Sequence, residues 1–372
     1  MNQRRIIILI LQLLSFILTA FTVFSVASGD LPTISGRAFS LYLPQNKEFI
    51  LEKNADTRLP MASTTKIMTA LIALEYCDLD ETVQIPKDVT NIEGSSIYLR
   101  EGDVISVRDL IYSVLLQSAN DAAQALAIKI SGDIDSFSEL MNQKAIELGL
   151  TNTSFENPHG LDSEGNYTKE SDLALIAAKA LENPTFNKIC STYKYSFRLS
   201  DSERHIVNHN KLLKRYDGAI GVKTGYTSKS GRCLVSAAER DGLTLIAVTL
   251  DAPDDWRDHK NLLDYGFSNY EALSLESIID LPKSICVVDG KSDTASLKTF
   301  NEQKYVIKKK SDPFPEPIIE MLPYITAPVT SGQSVGRIYI KQNNKIIFET
   351  DIVTDEKVDK KAKKPFFKSI FD

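Results

Sequence analysis

Arg4 and Arg5 precede a nearly unbroken apolar run over residues 6–27, with Gly29 and Asp30 behind it. About 22 such residues suffice to cross a bilayer, and a segment apolar all round cannot be the surface helix of a globular domain. The leading positive charge and the small-x-small triplet Ser25-Val26-Ala27 mark residues 1–28 as an export signal or an uncleaved membrane anchor, with the charged flank left in the cytoplasm. The remainder is therefore expected to fold and work outside the cytoplasm.

Length and charge narrow the class. At 372 residues, 43% hydrophobic and 25% charged, the chain has ordinary globular composition and room for two to three domains. Lys and Arg total 43 against 49 Asp and Glu, a net charge of −6, so no global basic field exists to hold nucleic acid. Cys77, Cys190, Cys233 and Cys286 lie far apart with no C-x-x-C, which indicates neither a disulfide-dense scaffold nor a thiolate zinc site. They read as small buried hydrophobes, with pairing among them open.

Periodicity divides the rest. Residues 38–43, a polar break at Gln45-Asn46-Lys47, and residues 49–51 predict a strand hairpin. Helices are expected over residues 62–76, from Ser106 through the stripe Leu110, Ile111, Val114 and Leu115, over residues 121–130 ended by Gly132, over 136–148 closed by Gly149, and over 171–181 stopped by Pro184. Residues 231–239 and 243–250 read as buried strands turning at Arg240-Asp241-Gly242, followed by a helix over 261–267. Strand-like pieces at 285–288, 305–307, 337–341 and 346–348, the last two joined through Asn343-Asn344, predict a separate small β domain over residues 282–353, behind a larger domain over 31–278. Residues 356–372 combine Lys357, Lys360, Lys361, Lys363, Lys364 and Lys368 with Phe366, Phe367, Ile370 and Phe371. A short helix begun at Pro365 would set the apolar residues beside a basic face as an interfacial membrane anchor; the alternative is a solvated tail.

Three short motifs carry chemistry. In Ser63-Thr64-Thr65-Lys66 the helical spacing puts Lys66 one turn from Ser63. A serine hydroxyl becomes a nucleophile only when a base removes its proton, and a desolvated lysine near another cation can be neutral enough to do so. Ser118-Ala119-Asn120 falls in the break between two apolar helices, where a short loop would project Ser118 and Asn120 from rigid support. In Lys223-Thr224-Gly225, Gly225 removes a side chain where a strand edge must approach a ligand, while Lys223 supplies charge and Thr224 a hydroxyl, together a clamp for a carboxylate. Each motif alone is weak: a second S-x-x-K match, Ser191 with Lys194, lies in the same chain.

The ordered set S-x-x-K, S-x-N and K-T-G is the combination of penicillin-binding proteins and class A β-lactamases. More closely, the chain resembles the D-alanyl-D-alanine carboxypeptidases among the low-molecular-mass penicillin-binding proteins of bacteria, through the Ser63 helix, Asn157-Pro158-His159-Gly160-Leu161-Asp162, Gly221 to Gly225, Leu262-Leu263-Asp264-Tyr265-Gly266-Phe267 and Ala327-Pro328-Val329. The resemblance implies an α+β fold, an antiparallel sheet with a helical cluster followed by a small all-β C-terminal domain. It implies acyl transfer: Ser63 attacks the carbonyl of a D-Ala-D-Ala peptide of peptidoglycan, Lys66 takes its proton, and Ser118 relays a proton to the departing D-alanine. Asn120 would hold the peptide amide, Lys223 and Thr224 the terminal carboxylate, and the backbone N–H groups of Ser63 and Tyr226 the oxyanion. β-Lactams would be covalent inhibitors, and no metal or cofactor is required. Arg257 lies near where the family carries an arginine for the carboxylate, against a surface ion pair as the alternative. Ser230-Gly231-Arg232-Cys233 departs from the more apolar family sequence after the K-T-G strand.

Rival readings are weaker. His205 and His209 are four apart, but the Glu of H-E-x-x-H is absent and Ile206 and Val207 favour a strand, against a zinc site. His159 beside Gly160 reads as a turn residue, not a base. A β-lactamase would need a glutamate on its hydrolytic water; no E-x-x-L-N follows Ser118, although Glu156 lies in the right stretch. A surface protein keeping the fold as a β-lactam sensor or scaffold is the non-enzyme alternative.

Overall fold

Alternation with period two builds a five-stranded antiparallel sheet from two distant parts of the chain. Ala38–Leu43 turns back through Lys47, in the left-handed region at φ 52°, into Glu48–Lys53. Gly231–Arg240 and Leu243–Leu250 form the long hairpin, and its two-residue turn takes positive φ at Asp241 (53°) and Gly242 (86°), the backbone twist such a turn requires. Ala38–Leu43 slots against Leu243–Leu250, and Ala219–Thr227, carrying K-T-G, pairs with Gly231–Arg240. The order is thus 48–53, 38–43, 243–250, 231–240, 219–227, which leaves the K-T-G strand at an edge. The spans 38–43, 231–240 and 243–250 follow the sequence expectation to within a residue, 48–53 is longer than the expected 49–51, and the sequence sets no bounds for 219–227.

Both faces of this sheet are buried. Leu41, Leu43, Leu234, Leu245 and Ala247 pack with Leu262 and Leu263 of the helix Asp255–Asn269, which is longer at both ends than its apolar stripe indicated. Tyr42, Val235, Ile246, Val248 and Leu250 face the helical cluster. At its centre Lys66–Tyr76 buries Ile67, Met68, Ala70, Leu71, Ile72 and Ala73 over its first two turns, with only Lys66 and Thr69 polar among the residues it buries. Around it lie Val107–Tyr112, Asn120–Ser131, Ile134–Glu147 and Glu170–Leu181. Ser106 caps as expected, its Oγ accepting from the Asp109 N–H (3.0 Å) and donating to Asp109 Oδ2 (2.7 Å). Pro184 stops one helix but also starts another, Pro184–Ser191, at the first position, where its missing N–H has no cost and Asn183 caps the turn.

The C-terminal module is a six-stranded sheet in the order 316–321, 334–342, 345–354, 294–299, 284–288, 325–326, around Ile285, Val287, Ala295, Ile338, Ile340 and Ile352. Tyr305–Lys308 does not join it; it pairs with Tyr270–Leu273. That strand sends Tyr305 and Ile307 into the module core and Val306 into the core of the first sheet, so one ribbon is shared by both. Cys190 and Cys233 are buried as expected, whereas Cys77 is half-buried and Cys286 exposed; all four are free thiols.

The structure, a computed structural model, describes residues 31–275, 279–299, 304–310, 316–342 and 345–362. The chain divides into two units, Met1–Thr33 and Ile34–Asp372, and everything above belongs to the second. The apolar segment 1–28 expected to be an export signal or anchor, the expected turn Asn343-Asn344 and the tail 363–372 lie outside the described residues. The start of the basic tail is described: Val358 bridges Val329, Lys360 bridges Gly290, and Lys357 and Lys361 pair with Asp359 and Asp293, both at 2.9 Å.

Candidate active site

The Ser63 turn is a strained piece of backbone wedged between two others. Residues Ala62–Thr65 form a 3-10 turn leading into the helix Lys66–Tyr76, and Ala62 takes φ 48°, a region a side chain rarely adopts. Such strain persists only where surroundings impose it. Thr65 Oγ1 donates to the Ala62 carbonyl (2.8 Å), and Gly160, itself at φ 84°, lies directly against that carbonyl. On the other side Gly225 passes so close that a Cβ there would stand 3.1 Å from the Met61 oxygen and from the Ser63 and Thr64 nitrogens. The glycine of K-T-G is therefore needed first for the contact between its strand and the Ser63 turn. Replacing Gly160 with alanine is expected to slow penicillin acylation by at least about tenfold, because strain near 1–2 kcal/mol and the clash move the Ser63 turn. Stopped-flow labelling beside a circular dichroism melt checks this; unchanged acylation would remove the Gly160 contact from the account.

Lys66 explains why the turn matters. Ser63 is half-buried at the surface, and Lys66 is fully buried one turn below it. Its Nζ lies 3.0 Å from Ser63 Oγ, 2.6 Å from Asn120 Oδ1 and 2.5 Å from the His159 carbonyl oxygen. The last two can only accept. A neutral amine has two N–H donors and one lone pair, so with both donors engaged by Asn120 and His159 the lone pair is left for the Ser63 hydroxyl proton. Burial drives the Lys66 pKa well below the ordinary lysine value, the charge of Lys223 pushes the same way, and Asp121 opposes them.

Ser118 is set by a different device. The helix Val107–Tyr112 runs on as a wide π turn, Ser113–Gln117, which ends with Ser118 in the left-handed region at φ 62° before Asn120–Ser131 begins. Lys223 Nζ donates to Ser118 Oγ (3.0 Å) and to the Thr224 carbonyl (2.8 Å), and burial lowers the Lys223 pKa to about 7. Thr224 is half-buried and Tyr226 exposed. The seven motif residues are thereby brought together: Lys66 links Ser63 and Asn120, Lys223 links Ser118 to the K-T-G strand, and Gly225 of that strand lies against the Ser63 turn.

The site also uses Asp121 and the segment 93–99, which the sequence did not single out, and gives Asn120, Asn157 and His159 contacts it did not foretell. Buried Asp121 accepts from Ser96 Oγ (2.6 Å) and from the N–H groups of Ile97 (3.2 Å), Leu99 (3.0 Å) and Ala122 (2.9 Å). Asn120 donates from its backbone to the Ser95 carbonyl (2.7 Å) and from Nδ2 to the Glu93 carbonyl (2.6 Å). Together they bind the segment 93–99 against the S-x-N loop. His159 is a turn residue as expected, but its carbonyl is a ligand of Lys66; Asn157 shapes the turn by accepting from the Gly160 N–H (2.7 Å). Sequence offered no sign of these roles, since each rests on a main-chain atom or on a partner far along the chain.

Other motif matches separate out. Ser191 ends a helix and donates to the Asn187 carbonyl (2.7 Å), while Lys194 starts a strand, so the second S-x-x-K is incidental. Arg257 is exposed and pairs with Asp254 at 2.9 Å, the surface arrangement. His205 lies on the strand Ser202–Val207 and contacts Ser196 Oγ (2.7 Å). The Glu156 carboxylate accepts from Ser163.

Comparison with known proteins agrees with this geometry. A family described as D-alanyl-D-alanine carboxypeptidase matches residues 29–254, and one described as penicillin-binding protein 5, C-terminal domain, matches residues 270–360. The D-alanyl-D-alanine carboxypeptidase DacF of Bacillus subtilis is 33% identical over 321 residues, covering 84% of this chain and 82% of its own. DacC of Escherichia coli is 31% identical over 365 residues, covering 92% and 88%. Among solved structures, penicillin-binding protein 5 from Haemophilus influenzae superposes with a TM-score of 0.68 at 28% identity, over 88% of this chain and 99% of that one. The Streptomyces K15 DD-transpeptidase gives 0.62 at 36% identity, over 64% and 99%. With its catalytic-domain motifs converging on one turn and both parts of its length matched, the chain belongs to the D-alanyl-D-alanine carboxypeptidase family.

Proposed function

We propose that this protein is a serine-type D-Ala-D-Ala carboxypeptidase that removes the terminal D-alanine from peptidoglycan stem pentapeptides through a Ser63 ester. The observation that carries the reading is the donor arithmetic at Lys66, whose neutral form has only the Ser63 hydroxyl left to accept from. Ser63 Oγ attacks the penultimate carbonyl as its proton passes to Lys66 Nζ. The oxyanion rests on the N–H groups of Ser63 and Tyr226, whose strand and turn are in contact. As the C–N bond breaks, Ser118 passes a proton to the departing amine, with Lys223 Nζ polarising its hydroxyl. Lys223 and Thr224 hold the terminal carboxylate. Asn120, with one Nδ2 hydrogen on Glu93, offers the other to the peptide. Water then cleaves the ester, releasing the shortened peptide.

β-Lactams acylate Ser63 by the same route, with a ring amide in place of the peptide. The enzyme works on the outer face of the cell membrane, exported by residues 1–28, with the basic C-terminal end meeting the membrane surface. Arg257 assists carboxylate binding only by leaving Asp254. A β-lactamase reading is disfavoured by the lack of an E-x-x-L-N pattern between Ser118 and Lys223.

The test is release of D-alanine from diacetyl-Lys-D-Ala-D-Ala by the full chain. Wild type and Ser191→Ala are expected to release it equally. A chain that is labelled by fluorescent penicillin and releases no D-alanine would instead be a β-lactam-binding scaffold.

A further inference from the structure

Next to the strand that carries Lys223 lies a concavity of about 450 Å³ that the reaction leaves unused, lined by Tyr193, Asn208, His209, Lys211, Lys214 and Arg215. Two links attach it to the site. The His209 N–H donates to the Leu116 carbonyl (3.1 Å), two residues before Ser118, and the short helix Leu212–Arg215 packs on the strand Ala219–Thr227 that carries Lys223. Desolvation and the charge of Lys223 both hold the His209 pKa below its ordinary value, so His209 lies in the field of Lys223.

The charges around this concavity lack acidic partners. Nearby surface cations Arg240, Arg257 and Lys260 each pair with an aspartate. Among the described residues, Lys211, Lys214 and Arg215 pair with no carboxylate. Lys214 Nζ sits 3.9 Å from the Tyr193 ring centre and Lys211 Nζ 5.7 Å from that of Trp256, so both are positioned by aromatic faces. In a chain of net charge −6, three cations grouped without partners at one hollow form a complement to an anion.

We propose that this hollow is an anion subsite on the leaving-group side of the scissile bond, and that the enzyme accepts peptides whose departing residue is an acidic D-amino acid. The proposal rests on the reading of Lys223 and Thr224 as the terminal-carboxylate site, since that places the departing residue next to His209. A departing D-alanine has only a methyl group to extend past its α-carboxylate; a D-glutamate has a second carboxylate that Lys214 and Arg215 can receive. The chemistry is unchanged: the peptide C–N bond breaks, the Ser63 ester forms, and the amine of the acidic residue takes the proton relayed from Lys66.

The experiment compares diacetyl-Lys-D-Ala-D-Ala with diacetyl-Lys-D-Ala-D-Glu, using the full chain and the double variant Lys214→Gln/Arg215→Gln. Both side chains are exposed, so the fold is not disturbed. The double variant is expected to raise KM for the D-Glu peptide about tenfold at low salt with kcat nearly unchanged, to alter the D-Ala peptide less than about twofold, and to lose most of the difference in about 0.5 M salt. Equal losses on both peptides, no loss on either, or a wild type that cleaves only the D-Ala peptide would each overturn the subsite. Failure of the carboxypeptidase reading is seen separately, as no D-alanine released by wild type, and the subsite falls with it.

Discussion

Replacing Ser63 with alanine is expected to abolish both D-alanine release and covalent penicillin labelling, with a loss in kcat of at least about 10⁴-fold. Ser63 is half-buried at the surface and its hydroxyl holds up no part of the core, so the variant should melt within a few degrees of wild type. The turn itself is maintained by Thr65, Gly160 and Gly225, none of which needs the Ser63 hydroxyl. Lys66 would lose one of its three contacts and keep Asn120 and His159. A folded Ser63→Ala protein that still released D-alanine would move the nucleophile elsewhere and end the assignment.

Replacing Lys66 with alanine is expected to cut acylation by about 10² to 10⁴-fold, the usual contribution of a positioned base. It should lower the first step as well as turnover, so normal penicillin labelling of Lys66→Ala would count against Lys66 as the base. The pH profile of kcat/KM supplies a second reading. Because the Lys66 pKa lies well below the ordinary lysine value, its neutral form is present at moderate pH and is lost as the solution becomes acidic, which gives the acid limb. The Lys223 pKa is brought down to about 7, so its charge fades as pH rises through that value. Terminal-carboxylate binding should weaken there and give the alkaline limb as a rise in KM. A substrate ending in a carboxamide has no charge for Lys223 to hold, and the alkaline rise in KM is expected to vanish for it. The same alkaline rise in KM with the carboxamide would detach Lys223 from the carboxylate.

Much of this architecture was legible in the residues. Alternation in 38–43 and 243–250, the Asp241-Gly242 turn and the Ser106 cap act over a few positions, and the structure follows them. The helix Pro184–Ser191 was missed because Pro184 was read only as a breaker, although proline suits a first turn equally well. Tyr305–Lys308 was placed with the C-terminal module because its pattern shows a buried strand but says nothing of which partner it pairs with. Cys286 is exposed because the alternation of Ser284–Val288 points it outward, a phase that flanking charge did not reveal.

The sequence by itself determined which groups the chemistry has: a serine one helical turn from a lysine, a second serine and an asparagine in a helix break, and a lysine-threonine-glycine strand, all following an apolar N-terminal run. Only tertiary structure decided that these groups form a reactive set. The protonation state of Lys66 depends on the loss of water around it, on the charge of Lys223 and on acceptors from Asn120 and His159, which lie 54 and 93 positions away. Desolvation and Coulomb energy are set by distances in space, and neither leaves a mark in local spacing.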